Sequence, residues 1–334
     1  MTIIEVLASL AAFAAVSALL LPALSDARRQ SKEIRCLGNL KSIAGASLIH
    51  AAADPSEFAI PAHPLIGNDP QVLGEYEWGG KSGIGEPAVG TDRLSSKWGT
   101  LHGRGPATRP LNEILYGDVL RDHQFDAGTY GANWLRDTKL ELDDFHCPAD
   151  YGYTGHHYTA WRNSKLTSYD HYGNSYTANA AWIGIPGSNC KLKSNSSFLK
   201  PISRVPAPAQ TLLYTENCGR FGHRANYGVD GCQSLSGALG IDVQTDVRGW
   251  HGQMWMFQVA FVDGHAGLVR MQGHQQPQPF LGRYPGDGDD PAQQHYYWHC
   301  VIFRGPGWQL DTLPSPPVPT ALPCGVLGVL HGIG

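Results

Sequence analysis

Apolar positions are unevenly spread along this chain. Residues 6–24 read VLASLAAFAAVSALLLPAL, 19 positions without a charge, close to the roughly 20 a membrane-spanning helix needs. From 25 to 53 the pattern turns amphipathic without a break. Leu37, Leu40, Ala44, Leu48 and Ala51 recur at steps of 3, 4, 4 and 3, the spacing of one helix face. Asp54-Pro55 closes the run, because the residue before a proline is pushed out of the helical region. The pattern predicts one helix of about 50 residues, roughly 75–80 Å long. Its apolar half is 1–24 and its amphipathic half is 25–53.

Two residues interrupt the apolar half. Glu5 lies in MTIIEVL, and a carboxylate at membrane depth costs on the order of 2.5–3.5 kcal/mol. Such a group wants a partner, and the α-amine of Met1 on its own turn or of a neighbouring copy would serve. A buried ion pair between copies would set their register. Pro22 removes one helix hydrogen bond and crowds the preceding turn, which predicts a kink or a locally unwound segment. A secretory signal peptide fits less well, since the first basic residue is Arg28 and such peptides carry a basic start.

Residues 54–310 change character. EYEWGGKSGIGEP and LHGRGPATRP read as loops, and LNEILYGDVL (111–120) reads as a short helix. Strand-like runs follow at 211–216, 254–263, 266–271 and 296–304. QVAFVDGHAGLVRM reads as a hairpin turning on Asp-Gly. The expected fold class is α+β, a long N-terminal helix packed on an antiparallel sheet with large loop insertions. The tail 311–334 has five prolines between Leu313 and Cys324, then the apolar CGVLGVLHGIG. Its extended spacing suits packing on its own domain or docking onto an adjacent subunit.

Charge narrows the function classes. Lys and Arg number 25 against 29 Asp and Glu. That balance lacks the basic stripe nucleic acid requires, so no nucleic-acid partner is expected. Charged residues are only 16% of the chain, while 9 Trp, 14 Tyr and 10 Phe can fill a core. The signatures of a phosphate-cradling loop, a serine nucleophile elbow or HExxH are missing, so no enzyme activity is expected.

The seven cysteines form no CxxC pair, which argues against a zinc ribbon. An exported domain would sit where disulfides form. The candidate pairs are Cys218–Cys232 and Cys300–Cys324, and Cys36 is either a small core residue or a tie from the helix to Cys147. Asp287, Asp289 and Asp290 in GDGDD offer oxygens to calcium or form a solvated turn. His251, Asp263 and His265 are a second candidate metal set, the basis for a metal-dependent hydrolase reading. His146 beside Cys147 is a weak nucleophilic pair, because such chemistry needs spatial geometry rather than adjacency.

MTIIEVLASLAAFAAVSALLLPAL resembles the mature N-terminus of type IV pilins and type II secretion pseudopilins, with Met1, Glu5 and Pro22 matching position by position. FHCPAD, SYTANAAWIG, PAQTLLYTEN and WHGQMWMFQVAFVDGHAGLV resemble segments of the large planctomycete-type pilin-like subfamily. The last is similar to its H-X9-DG motif, though His251 and Asp263 enclose eleven residues. The resemblance implies a chain already cut by prepilin peptidase and N-methylated at residue 1. It implies a structural subunit held in the inner membrane before assembly, with the assembly machinery and copies of itself as partners. It would then enter an extracellular filament or periplasmic pseudopilus, Met1, Glu5 and Pro22 serving assembly. The alternative is a monomeric membrane-anchored surface module that binds glycan or mediates adhesion.

Overall fold

The computed structural model describes residues 2–66, 74–84, 98–120, 134–152, 166–180, 182–183, 193–194, 196–219, 247–271, 279–281, 296–298, 304–305 and 307–310. Helix α1 runs unbroken over Ile3–Ala53, 51 residues. Thr2 caps its start: its hydroxyl accepts from the Glu5 backbone N–H, and the Glu5 carboxylate accepts from the Thr2 N–H at 2.8 Å, a reciprocal capping box. Asp54 leaves the helical region with ψ 125°, as its proline neighbour requires. Pro22 stays inside the helix, so the expected unwinding does not occur. One lost bond is tolerated in a helix this long.

The strands in chain order are β1 Tyr176–Ala178, β2 Trp182–Ile183, β3 Lys193–Ser194, β4 Leu212–Glu216, β5 Met256–Phe261, β6 Ala266–Arg270, β7 Pro279–Leu281, β8 Tyr296–Trp298, β9 Arg304–Gly305 and β10 Trp308–Gln309. The main sheet is antiparallel in the order β1-β4-β5-β6, with β2·β3, β7·β8 and β9·β10 as separate two-stranded pairs. The β5–β6 hairpin turns at the Asp-Gly signal, with Gly264 at φ +90°. The fold is therefore the expected α+β arrangement.

The second half of α1 lies on β4, β5 and β6. Its buried residues are Cys36, Asn39, Leu40, Ile43, Ala44, Ala46, Ser47 and Ala51. This face is turned from the one the apolar spacing predicts, leaving Leu37 and Leu48 half-buried. Two polar residues share it because each is satisfied. The Asn39 amide donates to the carbonyls of Asp143 and His146 at 2.7 and 3.0 Å, and Ser47 Oγ meets Tyr214 OH at 2.7 Å.

The loop-rich module between α1 and the sheet has its own organising group. Helix α2, Pro110–Tyr116, starts beside Arg109, whose buried guanidinium donates to five carbonyls. They belong to Arg104, Tyr76, Gly79, Trp98 and Tyr172, at 2.7 to 3.3 Å. Tyr76 stacks on Tyr172 at 3.8 Å, and Trp98 meets both edge-on. A planar five-donor cation suits loop backbone that lacks sheet or helix partners. Buried Glu77 supplies nearby negative charge; burial raises its pKa, and backbone hydrogen bonds, then Arg109 and Arg104, pull it back.

Candidate functional site

The first candidate is the protruding half of α1. Residues 2–16 and 18–28 are exposed throughout, including Ile3, Leu7, Phe13, Leu19, Leu20 and Leu21 at 60% or more. Large apolar side chains left this bare have water as their least favourable surroundings. The helix is long and apolar enough to cross a membrane, as an anchor or as part of a signal sequence. At about 1.5 Å per residue, positions 6–24 cover roughly 28 Å, close to the ~30 Å hydrocarbon thickness.

Charge begins where this stretch ends. Arg29 lies 3.7 Å from both Asp26 and Glu33, and Arg35 reaches Asp143 of the head at 2.9 Å. These exposed pairs contribute little stability, but Arg35–Asp143 lies close to where α1 meets the head, two residues after the Glu33 carbonyl accepts from the Gln258 side chain of β5 at 2.9 Å. The next residue, Cys36, is disulfide-bonded to Cys147, Cα–Cα 5.2 Å apart. Cys36 is thus both a core residue and the tie. Glu5, at the other end, is engaged in the capping box, a local role the sequence reading missed although Thr2 and Glu5 carry the signal. Met1 lies outside the described residues.

The second candidate is buried around that disulfide. Glu216 ends β4, and His251 sits in the turn before β5, closed by the Gly249 N–H on the Gln253 carbonyl. Glu216 Oε1 lies 2.8 Å from His251 Nε2, which is also 3.8 Å from Cys147 Sγ. Gln258 donates its backbone N–H to Glu216 Oε2 at 3.2 Å. Burial raises the Glu216 pKa, opposed chiefly by the contact with His251. Trp250, whose indole N–H donates to the Gly152 carbonyl, pins the same turn.

This placement corrects the set His251, Asp263 and His265. His251 precedes β5 and Asp263 and His265 follow it, so the strand holds them at opposite ends. Asp263 and His265 pair with each other at 2.6 Å on the exposed hairpin turn, while His251 faces the buried disulfide. His146 is likewise no partner for Cys147. It stacks on Tyr169 at 4.3 Å and lies 3.7 Å from Glu141. Cys218 is buried, whereas Cys232, Cys300 and Cys324 lie outside the described residues, as do Asp287, Asp289 and Asp290 and the tail 311–334.

No protein-family model, curated protein or solved structure matches the chain, so any functional reading rests on its own residues.

Proposed function

We propose that this chain is a structural subunit of an extracellular type IV pilus-like or pseudopilus filament, assembled through its N-terminal helix. The observation carrying this reading is that one rigid helix is divided in two. Its second half is fixed in the head by packing and a disulfide, while its first half bears apolar side chains on all sides. An amphipathic surface helix would need only one apolar stripe. A helix apolar all round fits lipid, and fits equally a bundle of identical helices. Transferring it into such a bundle removes on the order of 1,000 Å² of apolar surface from water, roughly 25 kcal/mol before entropic costs.

In this reading the subunit waits in the inner membrane, with its head on the oxidising side where Cys36–Cys147 can form. The basic cluster Arg28, Arg29, Lys32 and Arg35 alone favours the opposite orientation; Arg29 and Arg35 in it are held in ion pairs with Asp26, Glu33 and Asp143. Glu5 serves twice, closing the capping box and offering its carboxylate to the amine of the next subunit.

The test is electron microscopy of material sheared from producing cells, for the native chain and Glu5→Ala. Filaments with core density that accepts residues 1–24 from many copies are expected for the native chain. Glu5→Ala should reach the membrane and assemble poorly. Membrane-bound single particles alone, at high expression, would overturn the filament reading in favour of the anchored binding module.

A further inference from the structure

Four ligand-type side chains converge below the helix–sheet contact. Cys36 comes from α1, Cys147 from the loop after the turn Asp143–Phe145, Glu216 from the end of β4 and His251 from the turn before β5. One donor atom from each lies within 4.8 Å of all the others, and all four residues are buried. His251 directs Nε2 into the group, and its Nδ1 is buried with no hydrogen-bond partner among the described residues. Glu216 is fully buried, and its Oε1, despite the 2.8 Å approach of His251, makes no aligned hydrogen bond. A carboxylate oxygen held out of water without a proper donor is costly. Here a carboxylate oxygen of Glu216 lies within 4.8 Å of an imidazole nitrogen and two sulfurs.

The geometry points to a second state of these residues: in the dithiol form of the chain, Cys36, Cys147, Glu216 and His251 bind one divalent metal ion of the zinc class. Two thiolates, an imidazole and a carboxylate are a zinc-type donor set. A tetrahedral ion with bonds of about 2.3 Å to sulfur and about 2.0–2.1 Å to nitrogen and oxygen spaces its ligands by roughly 3.3–3.8 Å. The 3.8 Å between His251 Nε2 and Cys147 Sγ already fits. The Nε2–Oε1 pair must open by about half an ångström, and the two sulfurs must part to about 3.8 Å. Disulfide and metal are therefore mutually exclusive cross-links between the same helix and the same loop.

The chemistry balances without a reductant if the metal arrives first. Two thiols and M²⁺ give the dithiolate complex and release two protons, whereas forming the disulfide removes two electrons to an oxidant. Because the group is buried, metal must enter as the chain folds. The site would hold α1 on the head for as long as the two cysteines stay reduced. This inference does not depend on the filament proposal.

The probe is cobalt(II), whose thiolate complexes absorb through sulfur-to-metal charge transfer. The full chain, reduced and unfolded, is refolded in detergent without oxygen in the presence of Co²⁺, then exchanged with Zn²⁺. The expected result is about one Co²⁺ per chain with tetrahedral visible bands. Alkylation mapping should find Cys36 and Cys147 protected by metal and exposed after chelation. His251→Ala and Glu216→Gln should each weaken binding at least tenfold, and Cys218→Ser should leave it unchanged. A reduced chain that takes up no cobalt overturns the inference. So does protection confined to other cysteines, which the native chain reports even if a variant fails to fold.

Discussion

Arg109→Lys is the sharpest test of how the loop-rich module stands. The native guanidinium donates to five carbonyls. A lysine ammonium keeps the charge but has three donors and no planar fork, so at least two of those carbonyls lose their donor. Each buried unsatisfied group costs about 1–3 kcal/mol. The expected loss is about 4 kcal/mol, a large part of the roughly 5–15 kcal/mol of a whole domain. Equilibrium urea unfolding of the full chain in mild detergent, followed by tryptophan fluorescence, should show the midpoint falling by about 1–2 M at unchanged slope. Arg204→Lys, at an exposed position, is the control and should shift it negligibly. If Arg109→Lys lost less than about 1 kcal/mol, the guanidinium would not be organising these loops.

Two further outcomes follow from the same core. Burial pushes Asp150 from an ordinary 3.8 up to about 7, against hydrogen bonds from the Ser175 hydroxyl and the backbone N–H groups of Ser168, Tyr169 and Gly152. Its protonated form is the one folding favours, so its contribution is full below about pH 4 and fades as pH rises through 7. That span corresponds to on the order of 4 kcal/mol, and buried Glu216 acts in the same direction. Unfolding free energy measured from pH 4 to 8 should decline, and Asp150→Asn should flatten the decline; an unchanged profile would refute the assignment. Gly173→Ala places a methyl against the Lys81 carbonyl at a residue held at φ +83°. Strain and crowding together should cost about 3 kcal/mol, read as a lowered thermal midpoint.

Some of this architecture is legible along the chain and some is not. Helix α1 and its end at Asp54 follow from an uninterrupted pattern and one proline. The β5–β6 hairpin follows from alternation and Asp-Gly. Both signals are local. The buried face of α1 is less legible, because Asn39 and Ser47 belong to it only through partners at Asp143, His146 and Tyr214. Strand β1 is three residues in an Asn-rich stretch and exists through its pairing with β4. Arg109 looks like any loop arginine until its five carbonyls are assembled around it. The Cys36, Cys147, Glu216 and His251 group is the extreme case. His251 stands near Asp263 in sequence, yet a strand of six residues carries them apart, and three distant segments supply its real neighbours, Cys36, Cys147 and Glu216.

The position of the disulfide has a mechanical consequence. Any pull on the exposed half of α1 runs down the helix and reaches the head between Glu33 and Cys36. There it can pass covalently to Cys147, skipping the chain between them. The bridge closes a loop spanning 111 residues, whose fully extended length would be roughly 370 Å. Even with that module unravelled, none of this slack could be paid out under tension. Loops built from short turns, which on their own would yield easily to force, are thus kept off the load path, and the helix can act as a stiff tether with almost no give.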